Sequence, residues 1–235
     1  MDLRLKGFGR ADFAQLDWSP DGRRFSYLGE DRLLLADPAR RRARVLPLPA
    51  VALEDIEWMT ASALAASYLD DRGRVGLMQL DADSGRVLRR WSQHELGTTI
   101  SSTAQTALAW APTTHRMAIT ADDGRVYVTD LAAPPHTRRS RLFGDPSWSP
   151  DGRRLLAAVA QDQPGGEIAM AAWPSDRAIA LRHVASLRWL PDARSMLALD
   201  DRQRLLEIDA DGHILRTIRS GWPGTPIAIV RIDPT

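Results

Sequence analysis

Short apolar runs alternate with short polar stretches along the whole chain. No stretch keeps a 3.6-residue apolar period over three turns, so the pattern predicts strands and not helices. Each cycle opens on a tryptophan: Leu16-Asp17-Trp18, Ile56-Glu57-Trp58, Leu108-Ala109-Trp110, Pro146-Ser147-Trp148 and Leu187-Arg188-Trp189. An apolar run follows at 25–28, 63–68, 117–120, 155–159 and 196–199. Next comes a turn rich in Asp and Gly. A second apolar run follows at 33–36, 75–80, 126–129, 168–172 and 205–208, and in four cycles it ends on an aspartate: Asp37, Asp81, Asp130 and Asp209. A more polar run closes each cycle, at 44–48, 87–91, 139–142, 178–181 and 214–218.

The tryptophans lie 40, 52, 38 and 41 residues apart, and the long interval holds an extra polar stretch at about 92–106. Four short strands in about 40 residues, repeated, are the signature of a β-propeller blade. One four-stranded sheet cannot bury both of its faces, whereas stacked blades bury them on each other and leave only short edges. The turn after the tryptophan has its own mechanism. Proline presets φ, aspartate accepts from the local backbone, and Gly22 or Gly152 supplies the positive φ. Trp18, Trp58, Trp110, Trp148 and Trp189 are therefore read as packing residues of the repeat.

Trp18-Ser19-Pro20-Asp21-Gly22-Arg23-Arg24 and Trp148-Ser149-Pro150-Asp151-Gly152-Arg153-Arg154 resemble the W-S-P-D-G-K/R motif of the TolB-like, WD-repeat-like β-propellers of bacteria. The motif is partial in the third and fifth repeats. It is nearly lost in the second, where Met59-Thr60-Ala61 stands in place of Ser-Pro-Asp. The expectation is one all-β domain over 1–235, with repeats at about 13–48, 54–91, 106–142, 145–182 and 184–219. These would form about five four-stranded blades, closed by strands at 2–6 and 226–233. The alternative is six blades with a degenerate last one. The resemblance implies a protein or peptide partner and an extracytoplasmic setting, in the periplasm or cell envelope.

Composition narrows the chemistry. The 235 residues carry 31 basic and 30 acidic side chains, a net charge of +1, so nucleic acid is not expected as a partner. Cysteine is absent, which excludes thiolate metal sites and cysteine nucleophiles. No apolar run approaches the ~18 residues of a membrane span. The start, Met1-Asp2-Leu3-Arg4-Leu5, has no signal-peptide core and enters a strand-like segment at once. Two readings stay open: a cytosolic protein, or a domain cut from an exported or anchored parent.

No G-x-S-x-G elbow is present, and His94-Glu95 has no following histidine at metalloprotease spacing. The histidines are scattered. The paired carboxylates of Asp81-Ala82-Asp83 and Asp209-Ala210-Asp211 sit where hairpin turns are needed, so no metal or cofactor is assigned. The run Arg40-Arg41-Arg42-Ala43-Arg44 falls on an outer strand and is read as edge protection.

Three tryptophans fall outside the repeat register: Trp91, Trp173 and Trp222. Trp91 borders the insertion carrying His94 and Glu95, and an exposed aromatic beside an inserted loop suits an interaction surface. The expectation is thus a non-catalytic interaction or ligand-binding module, with Trp91, His94, Glu95, Trp173 and Trp222 as contact candidates. It is compatible with the sensor domain of a larger bacterial protein. The alternative is a propeller enzyme, lactonase-like or glycan-directed, with a metal-dependent site in the central channel.

Overall fold

The protein is described from a computed structural model, over residues 16–29, 32–48, 51–100, 107–132, 134–159, 168–173, 177–181, 184–190 and 192–219. The expected closing strands at 2–6 and 226–233, and Trp222, lie outside these residues. The chain divides into two compact units, Met1–Leu108 and Ala109–Thr235.

The first unit holds two four-stranded antiparallel sheets. One is β1 (Leu16–Trp18), β2 (Phe25–Gly29), β3 (Arg32–Asp37) and β4 (Arg42–Val45). The other is β5 (Val51–Thr60), β6 (Ala63–Asp70), β7 (Val75–Asp81) and β8 (Val87–Ser92). Strands pair in chain order, each with the next. A single turn of helix, α1 (Gln93–Leu96), follows β8.

The second unit holds β9 (Leu108–Ala111), β10 (Arg116–Thr120), β11 (Arg125–Asp130), β12 (His136–Trp148), β13 (Arg154–Val159), β14 (Ile168–Ala172) and β15 (Arg177–Leu181) in one seven-stranded sheet. A four-stranded sheet follows: β16 (Val184–Trp189), β17 (Ser195–Asp200), β18 (Leu205–Asp209) and β19 (Ile214–Arg219).

The described strands thus form four sheets, not five or six. The five repeats of the sequence are all present as strands, but the third and fourth share one sheet. The cause is β12, which is thirteen residues long. Its first part pairs with β11 (Asp130 opposite His136) and its last part pairs with β13 (Trp148 opposite Leu155). The outer strand of one repeat therefore runs directly into the inner strand of the next. Gly144, at φ 74°, and a register shift between Phe143 and Ser147 bend it without breaking it.

Burial explains the residue pattern. Middle strands are covered on both faces, so β3 buries Leu33, Leu34, Leu35 and Ala36 in succession, and β6 buries Ala63 through Tyr68. The outermost strands β4 and β19 are exposed throughout, which is why they read as polar or mixed. Within the first unit, Leu33 and Leu35 of one sheet join Ile56, Trp58, Leu64 and Met78 of the other in one core. Within the second, Leu156 and Met170 pack with Leu187, Trp189, Met196 and Leu206.

Two copies of the Ser-Pro-Asp-Gly turn fold alike. Ser19 and Ser149 each accept, through the hydroxyl, the N–H of the residue five on, Arg24 or Arg154, at 2.9 Å. Each hydroxyl lies 2.6 Å from the turn aspartate, Asp21 or Asp151. Gly22 and Gly152 both sit at φ 66°. The last arginine of the motif then reaches the neighbouring sheet. Arg24 contacts Asp83 at 2.8 Å, donates to the Ala61 carbonyl and stacks 5.5 Å from the Trp58 ring centre. Its counterpart Arg154 approaches Asp211 at 3.8 Å.

The turns generate a graded stability series. Gly22→Ala forces alanine into the left-handed region and is expected to cost about 1–2 kcal/mol. Gly152→Ala should cost more, because the added carbon would lie 2.6 Å from Thr113 Oγ1, which donates to the Asp151 carbonyl. In the fifth repeat Ala193 holds the glycine position at φ 57°, so Ala193→Gly should stabilise the fold by about 0.5–1 kcal/mol. Denaturant unfolding of the three variants checks the order. Equal losses at Gly22 and Gly152 would contradict the Thr113 contact.

Candidate functional site

The insertion after β8 begins with a helix start hidden in four residues. Ser92 accepts the Glu95 N–H at 3.2 Å, and Glu95 accepts the Ser92 N–H at 2.7 Å, a reciprocal capping box. Gly97 ends the turn at φ 62°. This Ser-x-x-Glu followed by Gly is the signal that would have revealed α1. Leu96 and Ile100 are buried, and Gln93 Nε2 donates to the Ile100 carbonyl at 3.1 Å, so the described start of the insertion is anchored. His94 and Glu95 stand exposed. The Glu95 carboxyl is held below its usual range, first by the Ser92 N–H and then by the Ser92 hydroxyl.

Trp91 differs from expectation. It is only 2% exposed, with the Arg89 guanidinium 4.8 Å from its ring centre. It lies opposite Leu77 on β7, and the α1 turn packs against β7 and β8. The indole is covered and presents no free aromatic surface. Trp173 is half-buried and meets Trp148 edge-on at 6.3 Å, with Arg138 5.5 Å from its ring centre. The repeat tryptophans Trp58, Trp110, Trp148 and Trp189 are buried, and Trp18 packs on Phe25 at 5.5 Å.

The paired aspartates serve turns. Asp81 accepts the N–H groups of Asp83 and Ser84, and Asp209 accepts those of Asp211 and His213. Asp70 and Asp200 do the same for Arg72 and Arg74, and for Arg202 and Arg204, and each also takes the second arginine's guanidinium at 2.7 Å. Among the described residues, no three His, Asp or Glu side chains are grouped to hold a metal ion.

Asp17, on β1, is the exception among the carboxylates. Burial pushes its pKa up, although its carboxylate accepts the Trp18 N–H at 2.8 Å. Asp55 is buried at 4% and accepts the Ile56 N–H at 2.8 Å and the Leu108 N–H at 2.5 Å.

A groove of about 630 Å³ opens along β4 and the turn before it. Arg24, Arg40, Arg41, Arg42 and Arg44 line it together with the apolar Leu35, Ala36 and Ala43. Asp37 and Asp83 are its acidic members. The sequence pattern places these arginines on an edge, but it does not show that Arg24, from a distant turn, converges with them.

No protein-family model and no curated protein sequence matches the chain. Solved structures do. A TolB structure from Agrobacterium tumefaciens aligns with TM-score 0.63 and 16% identity over 87% of this chain and 79% of its own. TolB from Acinetobacter baumannii aligns with TM-score 0.66 and 14% identity over 85% of this chain, which spans 52% of that protein. The Cps50 (Swd1) β-propeller domain of Myceliophteria thermophila aligns with TM-score 0.62 and 11% identity over 87% of this chain and 68% of its own. The fold is that of the TolB-like and WD-repeat-like β-propellers.

The propeller's carboxylates set its pH behaviour. For Asp70, hydrogen bonds from Arg74 lower the pKa, and for Asp81 those from Ser84 do. Burial pushes Asp200 and Asp209 up, but donors from Arg204 and His213 outweigh it, leaving both below the usual range. A lowered folded pKa adds stability that is present above the unfolded value near 4 and lost as pH falls through the folded one. The melting temperature should therefore be level near neutrality and fall steadily below about pH 4. Asp17 has the opposite sign: its raised pKa disfavours the fold once the carboxyl ionises. Asp17→Asn should raise the melting temperature at pH 7 and leave it near wild type at pH 3. A destabilised Asp17→Asn at pH 7 would contradict the burial effect.

Proposed function

We propose that this propeller is a non-catalytic protein-interaction module, the extracytoplasmic or sensor part of a larger bacterial protein. The observation that carries this reading is the α1 insertion. It adds chain beyond the repeat, buries Leu96 and Ile100, and leaves His94 and Glu95 exposed on a capped turn. Binding residues are disproportionately carried on surface loops positioned by a rigid scaffold. The likeness to the TolB and Swd1 propellers supports the interaction reading, and the TolB likeness supports the envelope setting. Trp173 and Trp222 remain candidate contacts of the same module. No helix among the described residues is long and apolar enough to cross a membrane.

The test uses the purified chain as bait on envelope and soluble fractions, beside a His94→Ala/Glu95→Gln variant. Glutamine keeps the capping box, so the variant changes the surface and not the turn. Wild type is expected to retain a partner that the variant retains several-fold less. Equal retention by both baits moves the surface away from α1. No retained protein from either fraction overturns the module reading.

A further inference from the structure

We propose that the arginine groove binds an acidic, extended segment of a protein partner, which adds to β4 as a fifth strand of the β1–β4 sheet. This rests on the interaction-module reading and names a second surface and the chemistry of its partner.

The backbone comes first. Leu46 N donates to the Leu33 carbonyl at 2.8 Å, and β3 and β4 pair with Leu34 opposite Val45 and Leu35 opposite Arg44. Antiparallel ladders alternate, so Arg42 and Arg44 direct their main-chain groups toward β3, and Ala43 and Val45 direct theirs outward. Among the described residues no strand pairs with that outer edge. All four residues of β4 are exposed.

Charge selects the occupant. Arg42 and Arg44 lie two apart on a strand, so their side chains leave the same face about 6.6 Å apart. Carboxylates at alternate positions of an added strand would stand directly opposite them. The groove holds five arginines against Asp37 and Asp83, a surplus of three positive charges. Asp83 is shared by Arg24 at 2.8 Å and Arg44 at 3.2 Å, and Asp37 is taken by Arg40 at 2.9 Å. The guanidinium groups of Arg41 and Arg42 have no ion-pair partner among the described residues.

Part of the site is preformed. Arg24 is fixed by the Ala61 carbonyl and by Trp58, and Arg44 donates to the Ala82 carbonyl at 2.9 Å. The turn places Arg41 at φ 51°, with its N–H on the Pro38 carbonyl at 3.2 Å. A cationic edge repels most strands and protects against self-association. The same edge attracts a strand of alternating carboxylates. The arginines spread along a strand, so the groove suits several separated carboxylates better than one compact anion.

The experiment measures anisotropy of a labelled (Glu-Thr)4 peptide on the full chain, with (Gln-Thr)4 and inorganic phosphate as the other arms. The acidic peptide is expected to bind saturably. Binding should weaken about tenfold or more in Arg41→Ser/Arg42→Ser, and weaken with added salt. His94→Ala should bind as wild type does. Amide exchange should slow at Ala43 and Val45 on binding and stay unchanged at Arg42 and Arg44. The arginine pair is exposed, so an unchanged melting temperature shows that the variant is folded. Equal binding of the glutamine peptide, no binding, displacement of the peptide by phosphate at comparable concentration, or protection without the 43/45 alternation would each overturn the proposal. A partner captured by the whole chain and indifferent to Arg41→Ser/Arg42→Ser removes the groove and leaves the module standing.

Discussion

An aspartate that accepts backbone N–H groups two to four residues further on closes turn after turn in this chain. Asp21, Asp70, Asp81, Asp130, Asp192, Asp200 and Asp209 all make such bonds. The chain has no cysteine, and the geometry of these turns rests on local hydrogen bonds. Register follows from the turns, and register decides which residues of each strand are covered. A strand slipped by one residue would turn Leu33 and Leu35 out of the core they share with Ile56 and Trp58. The abundance of aspartate thus has a structural use, and it leaves few carboxylates in unusual surroundings. Asp17, half-buried on β1 with its pKa raised, and Asp55, buried at 4%, stand outside the turns.

Arginine plays the complementary part between sheets. Arg24 leaves its own turn and joins the second sheet of the first unit through a carboxylate, a carbonyl and an aromatic face. A planar, always-charged group suits three such different partners at once, which a lysine would not match. The Arg154 approach to Asp211 repeats this relation in the second unit with looser geometry. An exposed ion pair contributes little by itself, so the contribution of Arg24 lies mainly in its placement over Trp58.

Much of the fold is legible in the sequence because turn residues bound every strand closely. The apolar runs at 63–68 and 75–80 become β6 and β7 with ends shifted by a residue or two. The sheet count is less legible. Tryptophans mark where repeats begin, but a connection is marked only when something breaks it. Between the third and fourth repeats only Phe143 and Gly144 intervene, and the chain stays extended through them. The helix α1 was hidden for the opposite reason, since one capped turn is too short to show a period. The burial of Trp91 was equally hidden: its neighbours Arg89, Arg90 and Ser92 are polar, yet alternation along β8 carries the indole to the covered side. The arginine groove depends on Arg24 meeting a strand some twenty residues further on, which no local pattern records.

The long strand β12 has a kinetic consequence. Repeat architectures generally behave as chains of semi-independent units, each able to fray without its neighbour. Here one continuous backbone belongs to two ladders, with β11 on one part and β13 on the other. Opening either ladder frees a segment that the other still holds, so the third and fourth repeats share one cooperative opening event. The seven strands would appear as a single slow-exchanging block in native-state exchange.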